Sequence, residues 1–208
     1  MRSAIVSTGL FATCLAYAVV RYIVFGDVLP AQLPVFITNK ALSLAGLTLI
    51  VLAVGARPIA AALPVASWLR DDRRTLGMVG LAFSAVHTVL SLMLLGPAYF
   101  GKFYSPTGQM TAVGEWAMLL GASALALLVW QSRVAPPTRP GVPNRAAAHR
   151  RMLGTGVLTL AMLHVGVMGW KGWFAPADWP GGLPPITLLS ACVALVGIAL
   201  GLAPRRKP

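Results

Sequence analysis

Apolar residues occur along this chain in long blocks, and a short polar or proline-rich connection separates each block from the next. A helix needs about 20 apolar residues to cross the hydrocarbon layer of a membrane. Six blocks of that length are present, at about residues 4–25, 38–56, 75–96, 112–131, 152–171 and 186–203. The pattern therefore predicts an all-α fold, an integral membrane bundle of six helices that forms a single domain over residues 1–208.

The predicted connections are short and rich in turn-forming residues, so none has room for a soluble catalytic domain. The longest polar stretch, residues 132–149, combines prolines with arginines and is predicted to be a flexible cytosolic loop. The sequence Ala-Tyr-Ala at residues 16–18 resembles a signal-peptidase site, but the apolar block continues beyond it to a spanning length. We therefore expect the first helix to remain in the protein.

The composition agrees with a membrane protein. Hydrophobic residues make up 57% of the chain and charged residues only 11%, which is too apolar for a soluble domain of this length. The net charge is +12, but the basic residues lie between the apolar blocks instead of gathering on one surface. We therefore expect a lipid bilayer as the main partner and no nucleic acid.

The distribution of positive charge predicts the orientation of the bundle. With the N-terminus inside, thirteen Lys and Arg residues face the cytosol and four face the other side. The four outer residues are Arg21, Lys40, Lys102 and Lys171. Because the cytoplasmic side of membrane proteins is enriched in Lys and Arg, we predict a multi-pass protein of the inner (plasma) membrane with both termini in the cytosol.

Two similar motifs each end in a histidine. They are RRTLGMVGLAFSAVH at residues 73–87 and RRMLGTGVLTLAMLH at residues 150–164. In each motif the histidine lies 13 residues beyond the second arginine, which corresponds to about 20 Å along a helix. His87 and His164 are therefore predicted at equal depth on two helices that run in the same direction. Ionisable side chains are costly inside a membrane and usually mark a functional site.

Small side chains precede both histidines at alternating spacings of three and four, which places them on one face of each helix. On the third helix this face comprises Gly77, Gly80, Ser84, His87 and Ser91. On the fifth it comprises Gly154, Val157, Ala161, His164 and Met168. One interpretation is a slot for a flat macrocycle, lined by Gly80 and Ser84. The other is close helix packing, which small residues also support.

Three kinds of site use a pair of histidines within a membrane: a metal ion, a proton pathway, and a haem iron ligated from both sides. A metal ion would need further ligands, and only Glu115 lies near the required depth. A proton pathway would normally include membrane carboxylates, and the spans contain essentially none apart from Glu115. Haem needs only the two imidazoles. The alternative from another class is a non-redox transporter or scaffold whose histidines only hydrogen-bond between helices.

The two histidine motifs, together with TNKALSL, LTLAMLHVGVMGWKGW and WPGGLPPI, resemble the ferric reductase-like transmembrane domain. This family includes the haem-binding membrane subunit of the periplasmic methionine sulfoxide reductase system and is related to STEAP proteins and NADPH oxidases. The resemblance covers residues from about 35 to 200. It implies that His87 and His164 are the axial ligands, and hence the metal ligands, of a b-type haem on the outer side.

The sequence also departs from that family. Fuller members carry a second histidine 13 or 14 residues earlier on each of the two helices, where this chain has arginines at residues 73–74 and 150–151. Since arginine cannot be deprotonated to ligate iron, we expect one haem b. We expect Lys171 to bind the haem propionates, with Lys40 and Lys102 as weaker candidates.

The resemblance implies an electron-transfer membrane subunit of an oxidoreductase, and it identifies no catalytic residue. The chain contains no Gly-x-Gly-x-x-Gly motif, so we expect a separate cytosolic flavin reductase or the quinone pool to supply electrons. A flavin or a quinone is then a possible second cofactor. The acceptor is expected in the periplasm or outside the cell.

Overall fold

The computed structural model describes residues 2–134 and 145–203. Within these residues the chain is helical, with short 3₁₀ and π turns at several of the connections. The α-helices are α1 (Arg2–Val19), α2 (Thr38–Ala62), α3 (Leu69–Met93), the single turn α4 (Pro97–Phe100), α5 (Ala112–Val134), α6 (Arg145–Trp173) and α7 (Ile186–Leu202). The π-helical turn Val20–Val24 continues α1, and a second one, Leu33–Ile37, leads into α2.

The described residues contain six helices that are long and apolar enough to cross a membrane, as the apolar blocks predict. Several of these helices extend beyond their apolar block. Helix α3 begins at Leu69, and its first turn contains Asp71 and Asp72, whose negative charges stabilise a helix N-terminus. Counting apolar residues misses such polar ends because the backbone hydrogen bonds of a helix do not require apolar side chains.

The predicted loop at residues 132–149 is shorter than expected. Helix α5 continues to Val134 and α6 already begins at Arg145, so both ends of the predicted loop are helical. Residues 135–144 lie outside the described residues. His149, which lies within the predicted loop, is exposed and belongs to α6.

Proline and glycine determine where the helices end and turn. Helix α2 stops at Ala62 because Leu63 precedes Pro64 and adopts an extended conformation (φ −128°, ψ 96°), as steric crowding by a following proline requires. In the connection between α6 and α7, Gly181 has a positive φ of 59°, and the ring of Phe25 packs directly against it. A Cβ atom at this position would lie 2.5 Å from the Phe25 ring.

Helix α2 lies at the centre of the bundle and contributes to all three buried apolar clusters. The first joins it to α1 and α7, the second to α6 and α7, and the third to α3. The buried residues of α2 in these clusters are Ala41, Leu44, Ala45, Leu47, Leu49, Ile50, Val51 and Ala56. Since α1, α3 and α7 all pack on α2, this helix sets the positions of the others.

The helices that carry the two histidines do not pack directly against each other to any extent. Helix α3 packs on α2, whereas α6 packs on α5 and α7, and the contacts of α3 with α5 and of α2 with α6 are limited. Helices α3 and α6 are therefore not packed against each other, and we call the space between them the gap. We call the end of the bundle at which α1, α3 and α6 finish the histidine end.

Helices α2 and α3 approach closely through a pair of glycines. A Cβ atom on Gly46 would lie 3.1 Å from Phe83 Cβ and 3.3 Å from the carbonyl oxygen of Gly80. A Cβ atom on Gly80 would lie 2.9 Å from Ile50 Cγ1 and 3.0 Å from the carbonyl oxygen of Gly46. Small residues allow this close backbone approach, as they commonly do between membrane helices.

Replacing Gly80 by alanine should therefore destabilise the bundle. The new methyl group would press against backbone and branched side-chain atoms of α2, and overpacking of this kind costs about 1–3 kcal/mol. We expect a lower midpoint of thermal unfolding in detergent for Gly80→Ala. The matched control is Gly77→Ala, one turn away on α3, where the added Cβ would lie 3.5 Å from Ala53 Cβ, an ordinary contact. Equal midpoints for the two variants would contradict the close packing of α2 on α3.

Candidate functional site

His87 on α3 is oriented by α2. Its Nδ1 atom lies 2.7 Å from Asn39 Oδ1 and 3.2 Å from the backbone oxygen of Asn39. The Asn39 side chain is buried and in turn donates through Nδ2 to Ser91 Oγ at 3.0 Å, one turn beyond His87 on α3. Asn39 therefore holds the ring of His87 from a neighbouring helix and is itself held in place.

His164 on α6 is oriented by α5 in the same manner. Its Nδ1 atom lies 2.7 Å from the backbone oxygen of Ala117. The ring rests on Gly121, one turn further along α5, where a Cβ atom would lie 3.0 Å from both Cε1 and Nδ1 of the imidazole. Glycine at position 121 thus leaves the space that lets this ring reach the α5 backbone.

These contacts determine the protonation of both rings. A backbone carbonyl oxygen can only accept a hydrogen bond, so Nδ1 of His87 and Nδ1 of His164 must carry the proton. In a neutral imidazole the other nitrogen then has a free lone pair. Among the described residues, none hydrogen-bonds to Nε2 of either ring. Both Nε2 atoms are consequently available as ligands.

The two rings lie on the helices that flank the gap, and they are near enough for a charge on one to repel a charge on the other. Both histidine residues are half-buried. The equal depth that the sequence predicts for the two histidines is thus accompanied by proximity in space. Neutral imidazoles with unpaired Nε2 atoms are the type of ligand that haem iron uses.

Gly80 and Ser84 lie on the side of α3 that packs on α2. Gly80 is buried against Ile50 and Gly46 of α2, and Ser84 donates its hydroxyl hydrogen to the carbonyl oxygen of Gly80 at 2.9 Å. Small side chains thus allow close helix packing at this part of the α3 face, and the macrocycle slot at these two residues stays a prediction.

The basic residues at the histidine end are not equivalent. Lys171 is exposed at the end of α6 and makes no hydrogen bond with the described residues. Lys40 follows Asn39 directly and lies near enough to His87 for the two charges to interact. Lys102 donates to the carbonyl oxygen of Met168 and is similarly near His164. Lys40 and Lys102, which the sequence ranks as the weaker candidates, thus each interact with one of the histidines. Lys171 shows no such interaction among the described residues.

The environment of Lys102 disfavours its charge. Surrounding protein atoms desolvate the ammonium group, and the positive charge of Lys40 lies nearby; both effects lower the pKa of Lys102 below its ordinary value. A negatively charged ligand would counter both effects.

Sequence reasoning missed four residues of this region: Arg21, Asn39, Ala117 and Gly121. Asn39 was the one that could have been found, because a buried amide within a spanning helix needs a partner. Ala117 acts through its backbone and Gly121 through the absence of a side chain, so neither carries a sequence signal. Arg21 was identified only as an outer cation, yet it is 6% exposed.

Glu115, which the sequence suggests as a further metal ligand, is exposed. The described residues contain no group of three or more His, Cys, Asp or Glu side chains that could hold a metal ion.

At the opposite end of the bundle, Arg151 donates to the carbonyl oxygens of Gly201 and Ala203 and so caps the C-terminus of α7.

Neither a protein-family model nor a curated protein matches this chain.

The orientation of the two rings can be tested in the ligand-free protein. We expect ¹⁵N spectra of the imidazoles to give the Nδ1–H tautomer for both membrane histidines, because carbonyl oxygens accept from Nδ1. His87→Asn and His164→Asn assign the two signals. Gly121→Ala should displace the His164 signal and leave the His87 signal unchanged, while Gly166→Ala, where an added Cβ would meet only Trp173 at 4.0 Å, should move neither. An Nε2–H tautomer at either position would contradict the assignment.

Proposed function

We propose that this protein is an electron-transfer protein of the membrane that holds one haem b between His87 and His164, near the histidine end. The observation that carries the proposal is the matched state of the two imidazoles. Each donates through Nδ1 to a neighbouring helix and keeps a free Nε2 beside the gap between α3 and α6. Bis-histidine ligation of iron requires two neutral imidazoles with free ring nitrogens, and this site has two.

In this proposal the chain supplies binding and orientation. Asn39 and Ala117 fix the plane of each ring through its Nδ1–H, so that little freedom is lost when Nε2 binds a metal. The hydrogen bonds also increase the basicity of the ligating nitrogens. Apolar helices on either side of the gap limit the access of water. Haem, when bound, supplies a reversible one-electron carrier.

The partners in this proposal lie on the two sides of the membrane. A cytosolic flavin reductase or a membrane quinol donates electrons, and an acceptor at the outer face receives them. The resemblance to the ferric reductase-like transmembrane domain supports this direction. A flavin phosphate bound by Arg151 receives less support, because the guanidinium of Arg151 already caps α7.

The second candidate function is a non-redox transporter or scaffold, in which the histidines serve only to join helices. The observation in its favour is that both rings do hydrogen-bond to a neighbouring helix. This function leaves the two free Nε2 atoms beside the gap without a role. It also predicts that His87 and His164 tolerate replacement by Asn or Gln, which can keep a hydrogen bond between helices.

The test of the haem proposal is an absorbance spectrum of the purified protein, oxidised and then reduced with dithionite, with haem quantified as pyridine haemochrome. We expect a sharp α-band on reduction and about one haem per chain in the parent. His87→Ala and His164→Ala should each lose the band, because each removes one axial ligand. The matched control is His149→Ala, which replaces the exposed third histidine and should keep it.

A parent protein without a haem band, after expression with ample haem, would refute the proposal and leave the second candidate. Retention of an unchanged band in both membrane-histidine variants would refute the ligand assignment alone. Gel filtration of every variant in detergent separates a lost ligand from a lost fold.

We propose further that both termini face the cytosol, on the basis of the thirteen-to-four division of basic residues. Single cysteines placed in a background of Cys14→Ser and Cys192→Ser test this orientation. Ser67→Cys lies in the exposed connection between α2 and α3, and Thr107→Cys lies in the exposed connection between α4 and α5. A membrane-impermeant thiol reagent added to intact cells should label Thr107→Cys and not Ser67→Cys. The reverse pattern would refute the orientation.

A further inference from the structure

Three basic side chains gather at the histidine end, and we call them the cation cluster: Arg21, Lys40 and Lys102. Arg21 Cζ lies 5.2 Å from the centre of the Tyr22 ring, and Lys40 Nζ lies 4.8 Å from the centre of the same ring. The charges of Arg21 and Lys40 are close enough to repel, and so are those of Lys40 and Lys102. The three residues come from three separate parts of the chain, so the fold brings them together at a cost.

Arg21 bears the largest part of this cost. Its side chain is 6% exposed, and its Nε and Nη1 atoms are buried without a hydrogen-bond partner among the described residues. An unpaired donor on a buried charged group is among the most destabilising features that a protein can contain. Arg21 also lies in the π-helical turn Val20–Val24, and irregular turns of this type frequently occur at functional sites.

No acidic side chain compensates the cation cluster within the part of the chain that the structure describes. The acidic residues nearest to it in sequence or at the same end of the bundle are Asp27, Glu115 and Asp178, and all three are exposed. None forms an ion pair with Arg21, Lys40 or Lys102 among the described residues. The aromatic rings of Tyr22 and Phe36 contact the Lys40 ammonium at 4.8 and 4.4 Å and offset only part of its charge.

We propose that the cation cluster is a binding site for an oxyanion, a carboxylate or a phosphate, which lies beside the histidine pair. Such a ligand accepts hydrogen bonds from the free Nε and Nη1 groups of Arg21 and neutralises two or more positive charges. Arginine and lysine bind both types of oxyanion through charge-assisted hydrogen bonds. Lys102 retains two further ammonium protons beyond the one it donates to Met168.

Two sources can supply this chemistry. The first is the pair of carboxylate side arms of the haem, which rests on the proposed function. The proximity of Lys40 to His87 and of Lys102 to His164 favours this source, because a ligand held by both histidines would lie near both cations. The second source is the phosphate of an anionic lipid headgroup, which needs no haem.

The first arm of the experiment titrates the purified, haem-free protein with haem and with haem dimethyl ester, whose two carboxylates are esterified and uncharged. Absorbance gives both dissociation constants. We expect the parent to bind haem about tenfold or more tightly than the ester, because esterification removes charge-assisted hydrogen bonds. Arg21→Gln and Lys40→Gln should remove most of this preference, because they weaken the binding of haem and not the binding of the ester. The matched control is Arg70→Gln, an exposed arginine in the first turn of α3 at the opposite end of the bundle, which should retain it.

The second arm measures thermal unfolding of the same four proteins in detergent with added phosphatidylglycerol or phosphatidylcholine. If a lipid phosphate occupies the site, phosphatidylglycerol raises the unfolding midpoint of the parent and of Arg70→Gln more than that of Arg21→Gln. A parent that binds neither macrocycle refutes the proposed function, and this arm then decides the oxyanion site alone. The oxyanion site is overturned if Arg21→Gln and Lys40→Gln behave like Arg70→Gln in both arms.

The unfolding midpoint without any ligand also separates binding from folding. Because Arg21→Gln removes an uncompensated buried charge, we expect it to be at least as stable as the parent when no ligand is present. A binding residue of this kind stabilises the complex at the expense of the free protein. Should Arg21→Gln fail to fold, Lys40→Gln gives the same two readouts from a different helix.

Discussion

The absence of water around most of the backbone and around the buried side chains is the constraint on which this structure depends. A polar group in a membrane bundle must find its partner within the protein. Hydroxyl groups do so locally, as Thr48 and Thr88 donate to carbonyl oxygens four residues earlier in their own helices. The two membrane histidines cannot, and each reaches a carbonyl oxygen on the adjacent helix. Helix α2 therefore positions α3, and α5 positions α6, through polar contacts as well as apolar packing.

The hydrogen bond from Nδ1 also gives each histidine its capacity to bind a metal. Once a carbonyl oxygen has selected the Nδ1–H tautomer, the remaining nitrogen is a base with no partner among the described residues. The close contact between α2 and α3 through Gly46 and Gly80 fills one side of α3, and α3 makes no comparable contact with α6. The same helix packing that brings α3 against α2 therefore leaves α3 and α6 apart.

Arginine has opposite roles at the two ends of the bundle. Arg151 donates to two carbonyl oxygens at the end of α7 and is fully explained by that contact. Arg21 is buried, two of its nitrogens have no partner within the part of the chain that the structure describes, and further positive charge lies nearby. A structural arginine lowers the free energy of the folded chain by itself, whereas Arg21 does so only with an anion beside it. This difference is what connects the cation cluster to a ligand.

The sequence alone determined the six spans, because a bilayer requires long apolar helices whatever they pack against. It also placed His87 and His164 at matching positions on two helices, since helical rise depends only on residue number. Only the tertiary structure decided what each small residue does, and it assigned Gly80 and Ser84 to helix packing and Gly121 to the ring of His164. Tertiary structure alone also decided that Arg21 has two buried nitrogens without a hydrogen-bond partner among the described residues, because burial and hydrogen bonding belong to the assembled helices and not to the residue type.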